Sequence, residues 1–161
     1  MSEREKTDIA KGFFEQGYVA QMSGHLDRAA GFYKRSIKFL PTAKAHTFLG
    51  WVYSLKGFPE KGIEECKKAI ELDPAFGNPY NDIGAYLIQM RRYDEAKPWL
   101  ERALRAPRYK NYAYPHINLG KIYEFKGLWD QAMYHYKKAI KEAPDYEPAY
   151  TARDRLEGKY N

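Results

Sequence analysis

Small and apolar residues recur along the chain with a period close to 34 residues. Glycines stand at positions 17, 50, 84 and 120, with spacings of 33, 34 and 36. Two further columns of small residues have the same spacings: Ala29, Gly62, Ala96 and Ala132, then Ser36, Ala69, Ala103 and Ala139. Because a fixed period in several independent columns is typical of stacked repeats, the sequence predicts four copies of one structural unit.

Each unit carries two apolar stripes with helical spacing. In the second unit the first stripe falls at i, i+3, i+4 and i+7 and consists of His46, Leu49, Gly50 and Tyr53. The segment 56–58 interrupts the stripe, and Pro59 suits the first turn of a second helix. The pattern therefore predicts one antiparallel helix pair per unit, which we call helices A and B.

The small residues are expected where helices A and B cross, because a small side chain lets two backbones approach closely. Large residues opposite them would fill the remaining space, and three units supply Tyr33, Leu100 and Tyr136. Cys66 takes that position in unit two and is interpreted as a small buried hydrophobe rather than a reactive thiol. As the single cysteine, it also excludes an internal disulfide and a cysteine-based structural zinc site within one chain.

This pattern resembles the tetratricopeptide repeat family over about residues 10–146. The resemblance is carried in turn by Phe13…Gly17…Ala20…Ala29…Tyr33…Ser36…Pro41, His46…Leu49-Gly50…Tyr53…Gly62…Cys66…Ala69…Pro74, Tyr80…Ile83-Gly84…Leu87…Ala96…Leu100…Ala103 and His116…Leu119-Gly120…Tyr123…Ala132…Tyr136…Ala139…Pro144. No unit begins with the tryptophan of the family pattern, and Gln16 replaces an apolar residue. The resemblance implies an all-α fold, a right-handed α-solenoid of four antiparallel helix pairs plus a C-terminal capping helix.

The period sets the expected boundaries. They are a polar lead-in at 1–9, units at 10–42, 43–76, 77–112 and 113–146, a capping helix at 147–158 and a tail at 159–161. The spacing of 36 between the last two units predicts that two extra residues lie in a loop at 105–111 or lengthen the next helix.

In proteins that this chain resembles, the A helices line a concave groove that holds a peptide or a partner helix. The A-helix positions beside the core stripe predict a groove formed by Phe14, Tyr18, Thr47, Trp51, Asn78, Asn81, Tyr114, Ile117 and Lys121. We expect these residues to be at least partly open to solvent, and Trp51 to anchor a partner side chain. In the alternative interpretation the aromatic residues pack on their neighbours and extend the core.

Some members of the family clamp the C-terminal carboxylate of heat-shock chaperones. That clamp resembles Lys and Asn on the first A helix, Asn on the second, and Lys with Arg on the third. Here the corresponding residues are Phe14 and Tyr18, then Trp51, then Asn81 and Ala85, so a chaperone tail is not expected as the partner.

The net charge of +6 is concentrated in residues 91–121, a segment that contains eight basic and three acidic residues. A possible anion patch consists of Arg102, Arg105, Arg108 and Lys110. With the interleaved Tyr109, Tyr112 and Tyr114 it could bind an anionic ligand or RNA, since bases stack on aromatic rings. The alternative interpretation of the patch is a solvated helix face and loop. A further alternative function is self-assembly, in which another copy occupies the groove or the uncapped N-terminal edge of the stack. Nucleic acid is not expected, because no code of one base per repeat is visible.

The sequence carries no motif for an enzyme, a cofactor or a metal. His46 and His116 stand two units apart in one column, too far apart to share a metal, and each is interpreted as filling a half-buried aromatic slot. Glu64 and Glu65 are interpreted as solvated. The function predicted is a non-enzymatic protein-interaction scaffold with a protein or peptide partner. Residues 1–11 contain no apolar run and no membrane span is predicted, so the expected location is cytoplasmic.

Overall fold

The computed structural model describes residues 1–160, so position 161 of the expected tail lies outside the described residues. Within that range the chain forms nine helices: α1 Glu3–Met22, α2 Leu26–Phe39, α3 Ala43–Leu55, α4 Pro59–Leu72, α5 Asn78–Gln89, α6 Tyr93–Arg105, α7 Ala113–Phe125, α8 Trp129–Glu142 and α9 Glu147–Tyr160. The first eight pack as four consecutive pairs. The predicted all-α repeat solenoid is confirmed.

Every A helix joins its B helix through a turn of three residues. The middle residue of each turn has a left-handed backbone, with φ of 80° at Gly24, 89° at Gly57 and 73° at Gly127. Glycine adopts this conformation without steric penalty, which explains its use there. Arg91 occupies the same position in the third unit with φ of 60°. So short a turn requires the two helices to run antiparallel.

The small columns lie at the crossings, as predicted. A Cβ atom added to Gly17 would lie 2.6 Å from the ring of Tyr33, and one added to Gly120 would lie 2.3 Å from the ring of Tyr136. In unit two, where Cys66 is small, a Cβ on Gly50 would lie 2.8 Å from the carbonyl oxygen of Gly62. Cys66 is fully buried, and burial raises the pKa of its thiol well above the usual value. Its predicted role as a packed hydrophobe is confirmed.

The extra residues of the third repeat lie in a linker. Seven residues, 106–112, connect α6 to α7, whereas three, five and four residues make the corresponding connections after α2, α4 and α8. This linker folds back on the linker before α5. Gly77 N donates to Arg108 O at 3.0 Å, and Arg108 N donates to Ala75 O at 3.1 Å. The predicted irregularity is confirmed, and two adjacent linkers pair through their backbones.

Successive A helices lie side by side, since α5 contacts both α3 and α7, and α7 contacts α9. The B helices of successive units make no comparable contact within residues 1–160. A stack whose members are closer on one side curves toward that side. The A helices therefore lie on the inner face of the curve.

Helices α1 and α9 lie at the two ends of the stack. Helix α1 begins at Glu3, so most of the segment 1–9 is helical rather than a separate lead-in. Ser2 and Glu5 form a reciprocal capping box that explains this early start. Helix α9 buries Ala149, Ala152 and Leu156 against the fourth unit and exposes Asp154, as expected of a capping helix.

We predict that Gly120→Ala lowers the free energy of unfolding by about 2 kcal/mol, because the new Cβ would overlap the rigid ring of Tyr136. Urea denaturation followed by circular dichroism would measure the change.

Gly31→Ala is the matched control. It also adds one methyl group to a helical glycine, but no atom within 4 Å would meet the new Cβ. We expect it to raise stability by about 0.5–1 kcal/mol through helix propensity alone. Equal effects of the two substitutions would contradict the close-approach explanation.

Candidate binding groove on the A helices

Seven of the nine predicted groove residues line three separate depressions rather than one continuous channel, and Tyr18 and Asn81 line none of these three. Phe14 lines a depression at the α1 end, and Trp51 lines a central cavity together with three other predicted residues, Thr47, Asn78 and Tyr114. Ile117 and Lys121 line a third depression against α9. A larger depression of about 800 Å³, between α1 and α2, contains none of the predicted residues.

The central cavity has a volume of about 380 Å³ and lies between α3, α5, the long linker and the first turn of α7. Its lining consists of Thr47, Phe48, Trp51, Asn78, Asp82, Ala85, Tyr86, Tyr109 and Tyr114. Trp51 and Tyr114 are 38% and 39% exposed, so each ring is partly packed and partly available. This is the half-open state expected for an anchor residue in a groove wall.

An aromatic cluster extends from this cavity toward α1, and Phe48 is at its centre. The centroid of its ring lies 5.8 Å from that of Trp51, 5.1 Å from that of Phe14 and 6.0 Å from that of Tyr18. The contacts with Trp51 and Phe14 are edge-to-face, a favourable geometry for aromatic pairs. Phe48 thus joins three of the predicted residues, although the sequence analysis did not select it.

Asp82 is the second lining residue that the sequence analysis missed. It is half-buried, and burial raises the pKa of its carboxyl group to about 7, partly offset by a hydrogen bond with Asn81. The titratable groups that face it are Cys66, Tyr86 and Tyr109, none of which carries positive charge. Among residues 1–160 the carboxylate has no cationic partner.

Tyr86 lies one helical turn after Asp82 and lines the same cavity. Its side chain is 5% exposed, and its hydroxyl group has no hydrogen-bond partner within the described part of the chain. Buried hydroxyl groups in folded proteins usually have a partner, so this one is unusual. The cavity therefore contains a carboxylate without a cation, and the Tyr86 hydroxyl group buried beside it has no partner among residues 1–160.

Three predicted groove residues are less accessible than expected. Thr47 is 3% exposed, and its hydroxyl group donates to the carbonyl oxygen of Ala43 one turn earlier. Asn81 is 6% exposed and accepts a hydrogen bond of 3.0 Å from Asn118, which joins α5 to α7. Ile117 is equally buried in a cluster with α8 and α9. The expectation of solvent exposure is wrong for these three residues.

Lys121 lies at the opposite end of the A-helix face, in a depression that it shares with Arg155. Burial and the charge of Arg155 lower the pKa of Lys121. Arg155 donates to Glu124 at 2.7 Å, and Lys159 lies 3.3 Å from the same carboxylate. Two basic side chains, Lys121 and Arg155, and one acidic side chain, Glu147, therefore line this depression, whereas no basic side chain of the described residues lines the central cavity.

The possible anion patch is engaged within the molecule. Arg108 pairs with Asp73, and the guanidinium group of Arg102 lies 4.7 Å from the ring of Trp99. Tyr109 is buried against Gly77 and is not available to stack on bases. Arg105 lines a shallow depression of about 250 Å³ with Arg102, and Lys110 is exposed in the linker. Part of the positive charge is therefore already used in internal contacts.

One pair of columns joins helices A and B in every unit, and each unit fills it differently. The contacts are Phe13–Phe32, His46–Glu65, Tyr80–Trp99 and His116–His135. In units one and three aromatic rings fill these two columns. This agrees with the interpretation that His46 and His116 occupy half-buried aromatic positions. Glu65 is buried rather than solvated, because it pairs with His46 at 2.6 Å. Burial alone would raise the pKa of Glu65, but hydrogen bonds from His46 and Lys68 lower it.

The fourth unit contains a pair of neutral histidines. The Nδ1 atoms of His116 and His135 lie 3.0 Å apart, and the His135 ring stacks on Tyr123. Burial lowers the pKa of both, that of His135 to about 4, with added repulsion from His116 and Lys97. Because protonation of both rings would place two like charges in contact, the pair favours the uncharged state.

Within residues 1–160, no three side chains of the metal-ligating types come together to hold an ion. The described helices also include none that is both long and apolar enough to cross a membrane. The cytoplasmic location stays a prediction.

The fold and its groove define a helical-repeat scaffold, and comparison with known proteins identifies its family. Models described as tetratricopeptide repeat match residues 43–76, 80–106 and 113–146. Together these matches cover more than half of the chain, which belongs to the tetratricopeptide repeat family.

Two curated proteins illustrate the sequence relatives. Hsp70-Hsp90 organizing protein 3 of Arabidopsis thaliana is 30% identical over 64% of this chain. The type IV pilus assembly protein PilF of Pseudomonas aeruginosa is 25% identical over 84% of it. The chain spans 17% of the length of the first and 56% of the second.

Two solved structures have the same architecture. That of Pseudomonas aeruginosa PilF superposes with a TM-score of 0.88 at 21% identity, covering 97% of this chain and 71% of that one. MamA superposes with a TM-score of 0.72 at 27% identity, covering 94% of this chain and 83% of that one. Because the PilF structure is only 21% identical in sequence, its likeness to this chain shows the fold alone.

We predict that the histidine pair makes stability dependent on pH. Since the folded-state pKa of His135 is about 4, below the ordinary 6.5, this contribution is complete above pH 6.5 and is lost as pH falls toward 4. After allowance for partial exposure, the loss should be about 1–2 kcal/mol. Urea unfolding at several pH values would measure it.

The double substitution His116→Phe/His135→Phe would reproduce the Phe13–Phe32 pair and should remove most of this loss. His25→Gln, a substitution at an exposed histidine, is the control and should leave the loss of stability at low pH unchanged. An unaltered pH profile in the double variant would contradict the assignment.

We predict that Asp82→Asn stabilises the protein at pH 8. The folded-state pKa of Asp82 is about 7, above the ordinary 3.8, so its protonated form favours folding at low pH and this contribution is lost as pH rises through 7. The uncharged amide avoids that loss, and the gain at pH 8 should be about 2 kcal/mol, falling to near zero at pH 4. Asp145→Asn removes an exposed carboxylate and should have little effect at either pH.

Proposed function

We propose that this protein is a non-enzymatic scaffold whose A-helix face binds a peptide or partner helix, with Trp51 as the principal anchor. The observation that carries the proposal is the half-exposed aromatic surface of Trp51, Tyr114 and Tyr18 on the inner face of the curve. Large aromatic side chains in a concavity are the residues that most often dominate binding energy at interfaces.

The family membership supports this function in general terms. The relatives named above are an Hsp70-Hsp90 organizing protein and a pilus assembly protein, so their names concern different partners. What carries over to this chain is the repeat as an interaction scaffold, and not the identity of a partner. A chaperone tail is a poor candidate, because Phe14, Tyr18 and Trp51 stand at positions where the clamp has Lys and Asn.

An anionic-ligand or RNA-binding solenoid is the second candidate. The concentration of basic residues in 91–121 favours it. The ion pair of Arg108 with Asp73 and the burial of Tyr109 weaken it, because both remove groups that would contact a nucleic acid. Retention on RNA that is lost at moderate salt would support this candidate over the first.

The test of the groove is affinity capture with a double variant, Tyr18→Ala/Trp51→Ala. The wild-type chain is immobilised, incubated with lysate of its source cells, and the captured proteins are quantified by mass spectrometry. A groove partner should be depleted at least tenfold by the double variant. Titration with that partner should then show that Trp51→Ala alone weakens binding by about 2 kcal/mol, roughly thirtyfold.

The matched control is Trp129→Ala/Tyr134→Ala. It removes the same two residue types from exposed positions on α8, a B helix. This variant should capture the partner as the wild type does, and both variants should melt within a few degrees of the wild type. Equal capture by the groove variant, or loss in both, would refute the concave face as the binding surface.

A further inference from the structure

We infer that the central cavity is a specificity site for a guanidinium group, that of an arginine side chain in an extended peptide partner. The inference rests on the proposed function and adds to it the chemistry of one partner residue. The site is formed by Asp82 and Tyr86, with Trp51, Phe48 and Tyr114 as aromatic walls.

The walls suit a planar cation. Rings of Trp and Tyr attract cations through their faces, and a guanidinium group stacks on them more readily than an ammonium group does. Elsewhere in this molecule the same chemistry already occurs: Arg102 lies 4.7 Å from the Trp99 ring and 4.8 Å from the Tyr80 ring. At the central cavity the rings are present, and the described residues supply no cation to meet them.

The polar groups of the cavity are those that such a cation requires. Asp82 offers a carboxylate, which a guanidinium group can meet with two parallel hydrogen bonds. The Tyr86 ring lines the cavity beside it, but the Tyr86 hydroxyl group is buried out of reach of an incoming donor. Arginine carries five N–H donors, so it can form both bonds to the carboxylate and still donate to a neighbouring acceptor.

Charge and size favour a cation from outside over an apolar side chain. An apolar occupant would cover the Asp82 carboxylate without pairing it, which is strongly unfavourable. The cavity volume of about 380 Å³ exceeds that of one side chain, so an arginine can enter with water or with its neighbouring backbone. Asn78, at the first turn of α5, lines the rim and can bond to that backbone.

The experiment uses two small probes, N-acetyl-arginine methylamide and N-acetyl-citrulline methylamide. Citrulline has nearly the same shape but a neutral urea group in place of the guanidinium. Binding is followed by NMR through the indole N–H resonance of Trp51, with that of Trp129 on α8 as the internal control. We expect the arginine probe to shift the Trp51 signal saturably, and the citrulline probe to bind at least tenfold more weakly.

Two variants assign the binding to the cavity. Asp82→Asn should weaken the arginine probe at least tenfold and leave the citrulline probe unchanged, while Asp145→Asn should alter neither. Equal binding of the two probes, equal shifts of Trp51 and Trp129, or no effect of Asp82→Asn would overturn the assignment.

Two outcomes separate this inference from the proposed function. If the probes fail but Tyr18→Ala/Trp51→Ala still loses its captured partner, the groove function stands and the arginine site is wrong. If sedimentation shows a wild-type oligomer that Asp82→Asn dissociates, a basic side chain of a second copy occupies the cavity, and the peptide assignment is overturned. Since the probes need no partner, success with them does not depend on the capture experiment.

Discussion

The close approach of helices A and B at each crossing is the constraint on which the rest of the structure depends. In three units a glycine faces a large side chain so closely that a single Cβ would overlap it, and in unit two Gly50 lies against the backbone of Gly62. Different residues thus produce a similar crossing. Because all four pairs then have nearly the same shape, they stack in register, and the A helices form one continuous inner face.

The columns beside that crossing are more permissive. The same position holds two stacked phenylalanines, a buried His–Glu hydrogen bond, a Tyr–Trp contact and a histidine pair in successive units. In the two polar cases each group has a partner, which is the condition for burying it. The fold therefore constrains volume and polar satisfaction at this column rather than residue type, and the units can differ in pH response while sharing one architecture.

The fold could be predicted from the sequence because periodic columns report it directly. Gly17, Gly50, Gly84 and Gly120 set the register, and the spacing of 36 located the long linker. The cavity could not be predicted, because it depends on contacts between units. Tyr109 closes it only because the linker pairs with the segment before α5. One signal was available: Asp82 shares its column with Phe48, which indicates a partly buried position for a carboxylate.

That column also gives the reason to treat Asp82 as functional rather than structural. The other units place Glu15, Phe48 and Asn118 there, and Asn118 bonds to Asn81 across the A helices. The carboxylate of Glu15 is exposed, and an amide or an aromatic ring also fits the column, whereas the half-buried carboxylate of Asp82, whose pKa is raised to about 7, destabilises the fold at neutral pH. Proteins tolerate such local losses of stability mainly at sites that bind something. A cation that enters from outside would pair with the buried Asp82 carboxylate and would also contact the aromatic rings of the cavity.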